Sequence, residues 1–311
     1  MTCDNCRIEF RRFGKRQNRQ RYQCSQCHKV FTEPREDYLD GIYLPIERAE
    51  MVLQLLLEGN SVSSVERLAE GHRTTILKLL VLASEKCERI LGRKLMNVPV
   101  RDVQVDELWS FIGKKEKRRR PDDDPMLGDC YTFIALETHT KLVLNFVVGR
   151  RDQASTNVFI EGLRLATSGQ FQITTDGFAP YRSAISNTLS DRVDFAQLIK
   201  VYRANPEGEH RYSPADVVST EVVPCVGQPD PERICTSHVE RQNLSIRMGL
   251  RRFTRLTNAF SKKFENHCAA FMLWVAFYNF CRVHRSVRTT PAMAAGIADH
   301  IWDVRELLEA A

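Results

Sequence analysis

Three acidic residues lie where strands and a helix would present them to one another. Asp106 lies within residues 103–112, a run rich in β-branched and aromatic residues that lacks Gly and Pro and therefore predicts a strand. Asp176 directly follows a shorter predicted strand, residues 171–175, and Glu240 lies near the start of a predicted helix. A carboxylate inside a strand is costly to bury without a partner. The three acids together predict a carboxylate cluster that holds divalent metal.

Four of the ten cysteines form the pairs Cys3-x-x-Cys6 and Cys24-x-x-Cys27. This spacing is typical of a structural Zn²⁺ site with four thiolate ligands. A redox-active pair is the alternative, but no strand–helix–strand pattern surrounds the cysteines. A segment this short buries too little apolar surface to fold alone, so zinc would supply the missing stabilisation. We therefore predict a zinc ribbon over residues 1–34.

The same N-terminal segment is strongly basic. Residues 1–30 contain eight Lys or Arg residues and two acidic residues, a net charge of +6 that equals the net charge of the whole chain. A basic arm of this kind is typical of nucleic-acid binding. The alternative is a tail that only increases solubility. We expect DNA contacts from Arg16, Arg19 and Arg21.

Composition and length indicate a soluble globular protein. The chain has 311 residues, of which 43% are hydrophobic and 27% are charged, and its length suggests two or three domains. The N-terminus is polar and basic, unlike a signal peptide. The longest apolar run is about twelve residues, too short to cross a membrane. We expect a cytoplasmic protein that has no membrane partner and keeps its cysteines reduced.

Residues 44–91 show apolar residues at helical spacing, with breaks at residues 59–61 and 71–72, within a predicted domain of residues 35–97. Three short helices joined by tight turns are typical of a helix-turn-helix DNA-binding domain. A helical linker between domains is the alternative. The third helix would read DNA with the residues of its first turns, Arg73, Thr74, Thr75 and Lys78.

Strands and helices alternate after a boundary near residue 98. Further strands are predicted at residues 131–136, 141–148, 171–175 and 195–201, and helices at 153–166, 237–250 and 265–280. This order predicts an α/β fold. Residues 203–231 contain five prolines and little periodicity, which predicts an inserted loop. The basic residues Arg251, Arg252 and Arg255 flank an aromatic residue, a composition that suits a DNA backbone.

Four short motifs occur in a specific order: VDELWSFI at residues 105–112, TTDG at 174–177, VERQNL at 239–244 and TPAMAAG at 290–296. Together they resemble the DDE transposases of bacterial insertion sequences, of the type encoded by InsA and InsB. The resemblance implies an RNase H-like catalytic domain over residues 98–290, followed by a C-terminal helix at 291–311. It also implies dependence on Mg²⁺ or Mn²⁺, recognition of terminal inverted repeats, and a homo-oligomer on double-stranded DNA in the bacterial nucleoid.

In this resemblance Asp106, Asp176 and Glu240 match the three catalytic acids. The interval between the second and third acids is longer than this group usually shows, and an insertion at residues 203–231 would account for it. The insertion and its surroundings leave other candidates for the third acid: Glu207, Glu209, Glu221 and Glu232. Glu240 is preferred because its helical surroundings, with Arg and Asn nearby, match the motif.

The chemistry is consistent with this resemblance. Strand cleavage and strand transfer require in-line attack at a phosphodiester by water and then by a DNA 3′-hydroxyl. Two metal ions held by carboxylates stabilise the attacking and leaving oxygens. One alternative is a DNA-binding regulator derived from an inactive transposase. Another is an RNase H-like nuclease such as a junction resolvase, which the N-terminal DNA-binding segments disfavour.

Overall fold

The computed structural model describes residues 2–16, 19–33, 39, 41–202, 217–254 and 257–310. The chain divides into two units, Met1–Tyr43 and Leu44–Ala311. The first unit contains a three-stranded antiparallel sheet in the order β1-β2-β3. Its strands are β1 (Arg11–Arg16), β2 (Arg19–Gln23) and β3 (Val30–Thr32).

The second unit begins with three helices and continues with mixed strands and helices. Its helices are α1 (Ile46–Leu57), α2 (Val62–Leu68), α3 (Arg73–Lys94), α4 (Gln153–Ala166), α5 (Pro180–Thr188), α6 (Ser237–Gly249), α7 (Phe264–Phe280), α8 (Pro291–Ala294) and α9 (Val304–Glu309). Its strands are β4 (Val98–Pro99), β5 (Asp102–Ile112), β6 (Gly128–Glu137), β7 (Val143–Gly149), β8 (Thr167–Ser168), β9 (Phe171–Thr175), β10 (Val193–Tyr202) and β11 (Val217–Val226). None of the described helices is long and apolar enough to cross a membrane.

Six strands form one mixed sheet in the order β11-β10-β9-β5-β6-β7. Strands β5, β6 and β7 are successively antiparallel, whereas β9 is parallel to β5 and β10 is parallel to β9. Strand β11 closes the edge antiparallel to β10. This is an RNase H-like arrangement with flanking helices, and it confirms the predicted α/β fold class.

The proline-rich segment differs from the predicted loop in its second part. Residues 203–216 lie outside the described residues, but residues 217–226 form strand β11. The many valines of this segment favour a strand. Pro224 is tolerated because β11 lies at the edge of the sheet, where one side of the strand needs no ladder partner.

Helices cover both faces of the sheet. On one face, the Phe133 ring of β6 lies 5.7 Å from Phe159 of α4 and 6.4 Å from Tyr181 of α5, measured between ring centroids. On the other face, Phe146 of β7 packs edge-on against Phe271 of α7 at 4.8 Å. Helix α7 is apolar on all sides because it is buried between the sheet and α3.

The three N-terminal helices of this unit pack against its C-terminal part. Lys86 of α3 donates a buried hydrogen bond to the Leu308 carbonyl of α9 at 2.8 Å. The turn between α1 and α2 contains Gly59 at φ +78°, and a Cβ there would lie 2.8 Å from the Met248 carbonyl oxygen of α6. This turn therefore requires glycine. The domain boundaries at residues 34, 97 and 290 remain predictions.

Candidate metal centre

Asp106 lies on the central strand β5, on the sheet face that α6 covers. Gln104, on the same face, accepts hydrogen bonds from two backbone N–H groups at the start of α6 at 2.9 and 3.0 Å. Asn243 of α6 then donates from Nδ2 to Asp106 Oδ2 at 2.7 Å, and the Glu107 amide donates to Oδ1 at 2.8 Å. Two side-chain amides thus fix both the helix and the carboxylate.

The pKa of Asp106 is raised to about 7. The largest cause is burial, which disfavours the charged form. The Glu107 amide opposes this effect, and the negative charges of Glu107, Asp176 and Glu240 add to it. Asp106 therefore lies among negatively charged side chains, and a bound cation would reduce their mutual repulsion.

Asp176 directly follows strand β9. In the parallel pairing of β5 with β9, Val105 lies opposite Thr175, so Asp106 and Asp176 are the next residues along two adjacent strands. Asp176 Oδ1 accepts a hydrogen bond from the Phe178 amide at 2.9 Å, which stabilises the turn toward α5. The side chain is 40% exposed, so one side of the pair is open to solvent.

A third carboxylate, Glu107, completes the cluster. One oxygen from each of Asp106, Glu107 and Asp176 lies within 4.8 Å of one from each of the other two. Burial, and after it the charge of Asp176, raises the pKa of Glu107. Glu107 was not among the predicted site residues, and adjacent residues of a strand point to opposite faces of the sheet. The only sequence signal for a role of Glu107 was its position directly after Asp106.

Arg151 supplies positive charge to this cluster. It precedes α4, and its Nε donates to Glu107 Oε2 at 3.0 Å while its Nη2 lies 3.7 Å from Asp176 Oδ2. The guanidinium carbon stacks over the Phe178 ring, 4.0 Å from the ring centroid. Arg151 was not a predicted site residue, and nothing in the local sequence distinguishes it from neighbouring Arg150.

Glu240, the predicted third acid, lies on α6 near the cluster but outside the group of three. Its side chain is 46% exposed and forms an ion pair with Lys200 of β10. Thr236 Oγ1 also donates to Glu240 Oε1, at 2.6 Å. Its charge contributes to the raised pKa of Asp106, which indicates proximity. Asn243, one turn further along α6, makes the direct contact to Asp106 instead.

The alternatives for the third acid are placed as follows. Glu221 is exposed on strand β11, and Glu232 is exposed in the short 3₁₀ turn Pro231–Arg233. Neither belongs to a metal-binding group among the described residues. Glu207 and Glu209 lie outside the described residues.

The acidic cluster suits a hard divalent cation. Its donors are carboxylate oxygens only, which Mg²⁺ and Mn²⁺ prefer to the nitrogen and sulfur ligands typical of zinc. Glu107 Oε1 is buried and has no hydrogen-bond partner among the described residues. A buried anionic oxygen without a partner is costly, and a metal ion would satisfy it.

The four N-terminal cysteines also converge. Their sulfur atoms all lie within 4.8 Å of one another, and Cys3 Sγ lies 3.6 Å from Cys27 Sγ. Four sulfurs at about 2.3 Å from a tetrahedral zinc would be about 3.8 Å apart. Backbone N–H groups of Cys27 and Gln26 lower the pKa of Cys24 to about 7, which favours the thiolate. Hydrogen bonding to the Cys27 side chain instead raises the pKa of Cys6 to about 12.

The two CxxC turns have the same backbone geometry. The amides of Cys3 and Cys24 both donate to the carbonyl five residues later, at 2.9 Å in each case. The residue after each second cysteine, Arg7 and His28, has a positive φ of 53° and 56°. Two matched turns that present four sulfurs to one point fit a structural Zn²⁺ ion.

The predicted DNA-binding residues lie in both units. In the first unit, Arg16 is exposed on β1, Arg19 begins β2, and the Arg21 guanidinium lies 5.2 Å from the Phe13 ring centroid. In the second unit, Arg73, Thr74 and Lys78 are exposed in the first two turns of α3, and Thr75 is half-buried. Arg255 lies outside the described residues.

Arg73, Arg251 and Arg252 line one cavity of about 790 Å³, together with Lys262. The cavity lies between the α1–α2 turn, α3 and the segment that follows α6. None of its described lining residues is acidic, and several are Ser or Asn. Arg252 donates to the Ser261 hydroxyl at 3.4 Å and to the Asn266 carbonyl. The structure thus brings together two predicted DNA-binding clusters that are far apart in the sequence.

Comparisons with known proteins give structural neighbours but no sequence relatives. No protein-family model matches the chain. No curated protein matches it either. A piggyBac transposase synaptic complex with hairpin DNA aligns with a TM-score of 0.41 and 9% identity, over 84% of this chain and 68% of that chain. The Mos1 transposase paired-end complex with left transposon end aligns with a TM-score of 0.22 and 15% identity, over 46% of this chain and 57% of that chain. For the Mos1 strand transfer complex the TM-score is 0.21 and the identity 17%, over 46% of this chain and 56% of that chain.

Proposed function

We propose that the chain is a DDE transposase of the InsA and InsB type, which binds the terminal inverted repeats of an insertion sequence and catalyses metal-dependent DNA cleavage and strand transfer. The observation that carries the proposal is the convergence of Asp106 and Asp176. They follow paired residues on two adjacent parallel strands and share a carboxylate cluster. Three of the motifs that resemble this family, at residues 105–112, 174–177 and 239–244, contribute to this one region.

Mg²⁺ or Mn²⁺ bound to these carboxylates would stabilise the attacking and leaving oxygens of an in-line displacement at a phosphodiester. Asp106 and Asp176 would hold the metal, and Asn243 orients Asp106 through its 2.7 Å hydrogen bond. In this proposal Glu240 becomes the third ligand when its ion pair with Lys200 opens.

The basic residues would hold the DNA phosphates. The zinc ribbon would present Arg16, Arg19 and Arg21 to double-stranded DNA, and α3 would present its first turns to the groove. Arg251 and Arg252, together with Arg255, would add phosphate contacts near the acidic cluster. Transposition joins two element ends to one target, so we propose a homo-oligomer assembled on DNA.

The test is cleavage and joining by the purified full-length chain. The substrate is a plasmid that carries the coding sequence and its flanking genomic DNA, incubated with Mn²⁺. We expect strand breaks at the flanks, loss of cleavage in Asp106→Asn and Asp176→Asn, and unchanged DNA binding in both variants. Wild-type cleavage by Asp106→Asn would refute the proposal. DNA binding by the wild-type chain without any cleavage would instead favour the regulator.

A further inference from the structure

Glu107 is a buried carboxylate that the three-acid proposal leaves without a role. Its side chain is only 3% exposed, although it lies next to a cluster that is open to solvent at Asp176. Burying a carboxylate is unfavourable unless charges or hydrogen bonds compensate. The position of each Glu107 oxygen therefore needs a physical explanation.

The two oxygens of Glu107 have different surroundings. Oε2 accepts the hydrogen bond from Arg151 Nε at 3.0 Å. Oε1 is buried and has no partner among the described residues. The Tyr181 hydroxyl lies near enough to affect the Glu107 pKa, but outside the geometry of an ordinary hydrogen bond, and it too lacks a partner in the described chain. One oxygen is therefore fixed while the other is available.

The end of strand β9 explains how Glu107 reaches the cluster from the opposite face of the sheet. Strand β9 ends at Thr175, which pairs with Val105, whereas β5 continues to Ile112. From Asp106 to Phe111, β5 has no backbone pairing on that side among the described residues, and the next contact there is the bridge between Ile112 and Ser261. The side chains of Asp106 and Glu107 can therefore both turn toward Asp176 around the open edge, and their oxygens lie within 4.8 Å of one another.

We propose that Glu107 is a metal-binding carboxylate of the Asp106–Asp176 centre, with its free oxygen as the ligand and its other oxygen held by Arg151. The inference rests on the proposed function, because it assumes that Asp106 and Asp176 bind divalent metal. Carboxylate ligands are themselves commonly held by a hydrogen-bond donor behind them, which is the position of Arg151. The centre then has three carboxylates in place before Glu240 joins.

The experiment measures Mn²⁺ binding to the full-length chain without DNA, by electron paramagnetic resonance. Glu107→Gln keeps the shape and an acceptor for Arg151 but removes the negative charge. Glu107→Asp keeps the charge but withdraws the oxygens by one methylene. We expect at least a tenfold loss of Mn²⁺ affinity in both, since removing a group behind a ligand already costs about 10- to 100-fold.

Glu137 provides the matched control. It is a buried glutamate on β6, pairs with Val103 four residues from Glu107, and already bonds Thr140. Glu137→Gln should bind Mn²⁺ as the wild type does. Thermal unfolding of each variant verifies that the chain is folded. A folded Glu107→Asp variant keeps the negative charge, so a loss of Mn²⁺ affinity in it indicates direct ligation and not charge attraction alone.

The outcomes distinguish the inference from the function on which it rests. Wild-type Mn²⁺ affinity in Glu107→Asp would overturn the ligand role, because a purely electrostatic effect requires only the charge. If Asp106→Asn and Asp176→Asn lose affinity while both Glu107 variants keep it, the inference fails and the metal centre stands. If Asp106→Asn and Asp176→Asn also bind Mn²⁺ normally, the proposed function fails.

Discussion

Replacing Asp106 by Asn should stabilise the metal-free protein while abolishing cleavage. Burial raises the pKa of Asp106 from 3.8 to about 7. Because the pKa of Asp106 is higher in the folded chain than in the unfolded chain, protonation of Asp106 favours folding. This contribution to stability is fully present below about pH 4. That contribution is lost as the pH rises through about 7, because the folded protein must then hold a poorly solvated charge.

The size of the effect follows from this difference in pKa. Raising the pKa from 3.8 to about 7 corresponds to about 4 kcal/mol at high pH. Asp106 is only half-buried, so solvent screening should reduce the penalty, and we expect Asp106→Asn to recover about 2 kcal/mol at pH 8.5. For a unit of this size, that is about 4–8 °C in Tm.

The hydrogen bonds around residue 106 can accommodate an amide. The Glu107 N–H would donate to the new amide oxygen as it now does to Asp106 Oδ1. The new amide nitrogen would face Asn243 Nδ2, which is also a donor. Asn243 Oδ1 is buried without a partner in the described chain, so a flip of the Asn243 amide would restore a hydrogen bond.

The assay is thermal unfolding without divalent metal between pH 4 and 8.5. The stability gained by Asp106→Asn should grow from pH 4 to about pH 7.5 and stay constant above it. Asp102→Asn is the control on the same strand, because it removes an ion pair in which Arg233 Nε lies 2.8 Å from Asp102 Oδ1, and it should destabilise. A difference for Asp106→Asn that is independent of pH, or a loss of stability at pH 8.5, would refute the reasoning.

Three further predictions concern other parts of the chain. Cys24→Ser should lose the bound zinc and unfold residues 1–43 while leaving the main unfolding transition unchanged, as metal analysis and circular dichroism would show. Lys200→Met should free Glu240 and lower the Mn²⁺ concentration for half-maximal cleavage, whereas Lys200→Arg should not; equal values in both would contradict this role of the ion pair. Gly59→Ala should lower the free energy of unfolding by about 2–4 kcal/mol, because it combines a positive φ with a 2.8 Å contact. Gly92→Ala in α3, where a Cβ meets nothing within 4 Å, should be neutral or stabilising.

The sequence predicted the strands and the helix of the site better than the register and the contacts between them. β-branched and aromatic residues located β5, a second short strand was predicted at β9, and the two aspartates could be assigned to them. The pairing of Val105 with Thr175 sets their proximity, and no local pattern encodes a register between strands that are 70 residues apart. Glu107 was missed for the same reason, since only the early end of β9 lets it turn into the cluster.

The other differences also come from tertiary context. The periodicity of residues 44–91 predicts helices, but it cannot show that α3 packs along α7. Strand β11 was predicted as a loop because prolines dominated the interpretation, whereas pairing with β10 satisfies its backbone. The motif at 239–244 located α6 but not which side chain contacts Asp106: Glu240 pairs with Lys200, and Asn243 contacts Asp106.

Helix α6 connects the two chemical regions of the second unit. Its first half carries Glu240 and Asn243 at the acidic cluster, and its end leads directly into Arg251 and Arg252 at the basic cavity. The six residues from Asn243 to Gly249, where α6 ends, correspond to about 9 Å along the helix, and Arg251 follows two residues later. A DNA strand advances about 3.4 Å per nucleotide, so in the proposed function a strand that follows α6 from the acidic cluster would reach the basic cavity within about four nucleotides. In the proposed function, the hydrogen bonds from the start of α6 to Gln104 therefore set both the geometry of the metal centre and the register of the bound strand.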